Sequence, residues 1–125
     1  NLFQIVLKGD NNMQLDIKKV EIIVTMPKEH VEKIRTAICA AGAGVMGKYT
    51  FCTISTNIVG TFIPSDDASP YIGESNKLEY VEETKLEVIC DVDKVKDVLD
   101  IIHQVHPYEE PGIDIIPLLS PEDFK

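Results

Sequence analysis

Lys19–Gly42 reads KVEIIVTMPKEHVEKIRTAICAAG, and this stretch decides the fold. Its first part, Lys19–Thr25, is dense in Val and Ile and predicts a strand. Pro27 suits the first turn of a helix, where a missing N–H breaks no bond. Val31, Ile34, Ile38 and Ala41 then recur at steps of three and four. That spacing lines one apolar stripe along a helix over Lys28–Ala41. Gly42 is a natural C-terminal stop.

The pattern returns further along. Lys77–Cys90 is β-prone, with Leu86, Val88 and Cys90 on one face and Lys85 and Glu87 on the other. Asp91 or Asp93 is placed to cap the next helix, Lys94–Val105. Val95, Val98, Leu99, Ile102 and Val105 form its inward stripe, and Pro107 stops it. Gly112–Leu118 is a last strand. Between the two halves lie the glycine-rich AGAGVMG (41–47), a β-prone run over Lys48–Ile63 and a polar loop over Pro64–Asn76. Gly60 interrupts the run, which suggests a bend, a bulge or two paired strands. Upstream, Leu2–Leu7 is apolar enough for a short strand, and GDNN (9–12) is a turn signal.

This order predicts an α+β fold, a ferredoxin-like βαβ-βαβ sandwich. It has an antiparallel sheet, two helices on one face and a long central hairpin. Residues 1–125 read as a single domain, with a core over about 19–118 and an N-terminal extension over 1–18. Such a sheet leaves one face open, and open faces and strand edges invite self-association.

Acidic residues outnumber basic ones 21 to 12, for a net charge of −9. A phosphate backbone or an anionic membrane surface needs a basic face, so neither nucleic acid nor membrane is expected as a partner. A cationic ligand, a metal ion or a protein partner suits the charge better. The acidic run Glu79, Glu82, Glu83 and Glu87 reads as a solvated face. Cys39, Cys52 and Cys90 are odd in number and form no C-x-x-C pair. Reduced thiols and a cytoplasmic location are the expectation. Asn1–Asp10 has neither the basic start nor the cleavage-site cluster of a signal peptide.

HPYEEP (106–111) gathers the most chemistry. His103 and His106 are three residues apart, and Glu109 and Glu110 follow. Together they supply nitrogen and oxygen ligands of the kind a divalent metal ion accepts. The competing reading is structural, a helix end turned rigidly into the last strand by two prolines. Cys52 with His106 would make a thiol nucleophile and base if the fold joined them, as in a Cys/His-dependent hydrolase. Buried structural cysteine is the commoner outcome, and Cys39 and Cys90 read as core positions. The glycines of AGAGVMG follow a helix rather than open one, so they fail the context of a dinucleotide loop.

Three separated words carry a resemblance: GAGVMGKYTFC (42–52), GTFIPSDDASPYIGESNKLEYVEETKLEV (60–88) and HPYEEPGIDIIPL (106–118). In order, they resemble the insert domain of the Nif-three-like proteins of YqfO type. The likeness spans about residues 20–118. Lys48, Thr53-Ile54, Asn57-Ile58-Val59 and Gly112 depart from the family's usual words. The resemblance implies a CutA-like, PII-like ferredoxin fold that assembles as a homotrimer, with no established enzymatic activity. The dinuclear metal site of the full-length family belongs to a flanking domain. The resemblance thus implies a non-enzymatic binding or regulatory module with ligand clefts between subunits. Tyr49, Cys52, Glu83, His106, Tyr108 and Glu110 are the candidate cleft residues. The alternative is a divalent-metal-binding protein using His103, His106, Glu109 and Glu110.

Overall fold

The structure, a computed structural model, describes residues 3–7 and 13–125. Its strands are β1 (Phe3–Leu7), β2 (Met13–Ile17), β3 (Lys19–Pro27), β4 (Thr53–Phe62), β5 (Glu79–Asp91) and β6 (Ile113–Leu118). Its helices are α1 (Val31–Ala40) and α2 (Val95–Val105). A single 3-10 turn leads into each helix, Lys28–His30 before α1 and Val92–Lys94 before α2.

The main sheet has the order β4-β5-β3-β6, and every pairing in it is antiparallel. This is the ferredoxin-like order, with the two central strands contributed by different βαβ halves. Val20, Ile22, Val24 and Met26 of β3 alternate to one side, with Leu86, Val88 and Cys90 of β5 beside them, and all are buried. Val31, Ile34 and Ile38 of α1 and Val98 and Ile102 of α2 close over that side. Both helices therefore bury the stripe that their 3.6-residue spacing marks out. Pro117 sits on β6, an edge strand, where a missing N–H is tolerated. No helix among the described residues is long and apolar enough to cross a membrane.

Among the described residues, no helix covers the other side of the sheet. By register and alternation it presents Ile23, Ile54, Ile58, Ile89 and Ile116. Ile54 is 64% exposed and Ile116 43%. Glu21, Lys85, Glu87 and Asp114 share this face, and Lys85 pairs with Glu87 at 3.4 Å.

Helix α1 ends as its sequence predicts. Gly42 adopts φ +115°, a conformation that favours glycine. Its N–H bonds the Cys39 carbonyl at 3.2 Å, and the Ala43 N–H bonds the Ile38 carbonyl at 3.1 Å. This is a Schellman closure.

Four expectations change. The β-prone run from Lys48 becomes strand only at Thr53, because Met46 and Tyr49 exchange backbone bonds in a turn and Phe51 takes φ +56°. Strand β4 then passes through Gly60 with neither bulge nor bend. The glycine has a different purpose there: a Cβ would overlap the Glu83 carboxylate on the neighbouring strand. Neither Asp91 nor Asp93 caps α2 through its side chain, since the 3-10 turn intervenes and Asp91 pairs with Lys19 at 3.2 Å. The segment before residue 19 is more than an extension. Strands β1 and β2 form a hairpin whose Ile5, Leu15 and Ile17 pack on the core. Met13, Leu15 and Ile17 alternate with Gln14 and Asp16, so β2 had a period-two signal. The GDNN turn lies outside the described residues.

Candidate functional site

Helix α2 stops at His106, where the backbone turns extended before Pro107. The loop 106–112 then crosses from the helix layer to the end of β3. Here His106 is 7% exposed and its ring is engaged at both nitrogens. Nδ1 accepts the Tyr108 N–H at 3.0 Å, so Nδ1 carries no proton. Nε2 must then hold the proton, and it donates to the Thr25 carbonyl at 2.7 Å. The Thr25 N–H in turn bonds the Gly112 carbonyl at 3.3 Å. HPYEEP is stitched to the end of β3 through a neutral imidazole of one tautomer.

Tyr108 extends the stitch to β5. Its hydroxyl donates to Glu83 Oε2 at 2.9 Å. Burial first, and the Glu83 carboxylate second, push the phenol pKa above its usual value, so it stays a donor. Its ring lies 5.0 Å from His106, 6.2 Å from Tyr71 and 6.3 Å from Phe62, centre to centre. The His30 ring meets Tyr71 edge-on at 5.7 Å. Glu109 Oε1 accepts the Ser69 N–H at 3.0 Å and so ties the 64–72 loop to HPYEEP.

These ties enclose an open cleft of about 450 Å³. Phe62, Pro64, Tyr71 and Tyr108 wall it, and Glu83, Glu109 and Glu110 supply its charge. Within the acidic run, Glu83 departs from the expected solvated face, at 8% exposure. Glu82 stays outside, paired with Lys28 at 2.8 Å.

The candidate cleft residues divide into two groups. Glu83, His106, Tyr108 and Glu110 lie together. Tyr49 and Cys52 do not join them. They precede β4, whose first residue Thr53 pairs with Val88, five positions along β5 from Glu83. At a strand rise of about 3.4 Å per residue, that is roughly 17 Å away. His106 is held at Thr25 of β3, with β5 lying between β3 and β4, so Cys52 and His106 form no nucleophile–base pair within the subunit. Burial holds the Cys90 thiol up at about 11 and also raises Cys39, so both are protonated core groups.

The metal set is also not assembled. His106 has no nitrogen lone pair left, and the His103 Nδ1–H is held by the Leu99 carbonyl at 2.8 Å. Among the described residues no three His, Cys, Asp or Glu side chains stand together as a metal-holding group. Sequence reasoning missed Phe62, Tyr71 and Thr25. Pro70-Tyr71 in a polar loop was the one available signal, since an aromatic there needs a surface to pack on.

No family model matches the chain. Individual proteins do. It is 41% identical over 102 residues to the GTP cyclohydrolase 1 type 2 homolog of Bacillus subtilis, covering 82% of this chain and 27% of that protein. The corresponding homolog of Halalkalibacterium halodurans is 39% identical over 100 residues, covering 80% of this chain and 27% of that protein. A solved Bacillus cereus protein related to NIF3 superposes with a TM-score of 0.72 and 35% identity, over 83% of this chain and 26% of that one. The chain is a relative of the Nif-three-like proteins. It spans about a quarter of the length of those relatives. The fold likeness reaches further, to the periplasmic divalent cation tolerance protein CutA of Archaeoglobus fulgidus, with a TM-score of 0.62 and 23% identity. That match covers 85% of this chain and 90% of the other. This Nif-three-like relative therefore has the CutA-like fold that its three sequence words imply.

The stitch makes stability depend on pH. Burial is the main cause that lowers the His106 pKa below 6.5, against the opposing pull of the Thr25 carbonyl. A depressed folded-state pKa means that the unfolded chain binds the proton more readily. This group's contribution is whole above the unfolded pKa and declines as pH falls through the folded one. Urea midpoints are expected to decline from about pH 7 to pH 5. In His106→Gln the decline should be shallower. Equal slopes in the two proteins would exclude His106 as the cause.

Proposed function

We propose that the chain is a non-enzymatic binding or regulatory module. It works as a homotrimer of CutA-like subunits and receives small ligands in clefts at or near the subunit boundaries. The observation that carries this reading is the uncovered sheet face with its five isoleucines. Water contact with that much apolar surface costs free energy that a second copy of the same face removes. The resemblance implies three copies. Trimer formation would also give Tyr49 and Phe51 a place: at 76% and 51% exposure they project from the 41–52 loop, away from the cleft of their own subunit. A neighbouring subunit is the surface they suit.

The curated relatives are called GTP cyclohydrolase homologs, but they are about four times as long as the matched region. An activity of the whole protein does not pass to this domain by likeness alone. In the domain itself the cysteine and histidine that a thiol enzyme needs are kept apart, Cys52 before β4 and His106 at Thr25 of β3, with β5 between those strands. The reading is of a cytoplasmic protein whose partners are its own copies and a small molecule.

Native mass spectrometry of chain purified without chelator tests the assembly. A trimer is the expected species, and extra mass on it would weigh the ligand directly. A stable monomer at micromolar concentration would end the proposal.

A further inference from the structure

The cleft beside HPYEEP has a charge pattern that selects its ligand. Three glutamates, Glu83, Glu109 and Glu110, line it, and among the described residues no lysine, arginine or histidine does. Two histidines stand behind its walls, His106 engaged at both ring nitrogens and His30 in contact with the Tyr71 hydroxyl at 3.2 Å. Lys28 pairs with Glu82 and lines a neighbouring groove that shares Glu83. Glu83 is more than nine-tenths buried, and only its Oε2 bonds Tyr108. A buried carboxylate held by one phenol is short of positive charge. The carboxylates do not converge tightly enough to form a metal-holding group. They are spread along aromatic walls, with Phe62 and Tyr71 on the sides and Tyr108 between. A bare ion would leave those walls unused. A cation with several N–H donors on an apolar stem would use both, since ammonium and guanidinium groups are attracted to ring faces as well as to carboxylates. The volume of about 450 Å³ is that of a small-molecule pocket.

We propose that this cleft binds a small organic cation. Its ammonium or guanidinium head lies against Glu83, Glu109 and Glu110, and its stem lies on Phe62, Tyr71 and Tyr108. The proposal rests on the reading of the domain as a ligand-binding module and names the ligand class. Anionic ligands such as nucleotides are disfavoured at this cleft, because each phosphate would meet a carboxylate with no cation between them.

Isothermal titration of the full chain tests it, with agmatine, spermidine and tetramethylammonium as probes. A neutral alcohol of similar length and ATP serve as controls. Binding of at least one cation is expected, weakening with salt, with no heat from the alcohol or ATP. Glu110→Gln and Tyr71→Ala change exposed side chains and are expected to keep the fold, which circular dichroism checks. Each is expected to weaken that cation about two- to fivefold. A blocked arginine amide binding as tightly as agmatine would identify a protein side chain as the source, and weaker binding a free amine. If no cation binds, or if both variants bind like the parent, the proposal is overturned. If ATP alone binds, the ligand class falls and the binding-module reading survives. If native mass spectrometry shows a bare monomer, that reading falls on its own, whatever the cations do.

Discussion

Replacing His106 with alanine is expected to destabilise the domain by about 2–4 kcal/mol. The change removes two bonds at once from a residue that is 7% exposed. The Thr25 carbonyl and the Tyr108 N–H would both lose their partner, and each orphaned group costs about 1–3 kcal/mol when water cannot reach it. The loss then spreads along the loop. Tyr108 is aimed at Glu83 only while the His106 ring holds its backbone, and Glu109 holds the 64–72 loop only while HPYEEP stays in place. Chemical denaturation at a fixed protomer concentration measures the effect, because assembly would otherwise shift the midpoint. His106→Gln keeps an amide donor for Thr25 and should recover part of the stability. A loss below about 0.5 kcal/mol in His106→Ala would mean that the stitch contributes little.

Ile54→Glu is expected to convert the assembly to monomers. Ile54 is 64% exposed in the single subunit, so the variant should fold with an unchanged circular dichroism spectrum. In a trimer joined through the open sheet faces, each copy would bury the new carboxylate. Symmetry repeats the cost at every interface. An unpaired buried charge costs several kcal/mol per site, and the lost isoleucine contact adds about 1.5–3 kcal/mol for each side chain that had been fully buried. Light scattering after size-exclusion chromatography reads the outcome. A trimer persisting at micromolar concentration in Ile54→Glu would show that the interface lies elsewhere. Ile116→Glu, on the opposite edge strand, then tests whether the contact involves that side of the same face.

Much of the architecture was legible because the two periods in the chain are clean. Val20, Ile22 and Val24 alternate, Val31, Ile34 and Ile38 step by a turn, and Pro27 and Gly42 mark the changes. The same logic misled at Lys48–Cys52. Tyr49 and Phe51 favour strands as residue types, yet the glycines beside them and the φ of +56° at Phe51 commit the segment to a turn. Gly60 was legible as an irregularity but not as its cause, because the cause sits on another strand.

By itself, then, the sequence determined the ferredoxin-like order, both inward helix stripes and the likeness to the Nif-three-like proteins. These depend on neighbours within a few residues and on words that survive as strings. Tertiary structure alone decided the site. His103, His106, Glu109 and Glu110 look like a ligand set when spacing is all that is known. Folding engages both His106 nitrogens with backbone groups, one of them 81 positions away, and turns the glutamates toward a cleft. It brings Tyr71 and Phe62 to Tyr108 and leaves Cys52 beyond the start of β4, whose Thr53 pairs with Val88 rather than near Glu83. A side chain's chemistry is set by which lone pairs and protons remain free after packing, and that depends on partners distant in the chain.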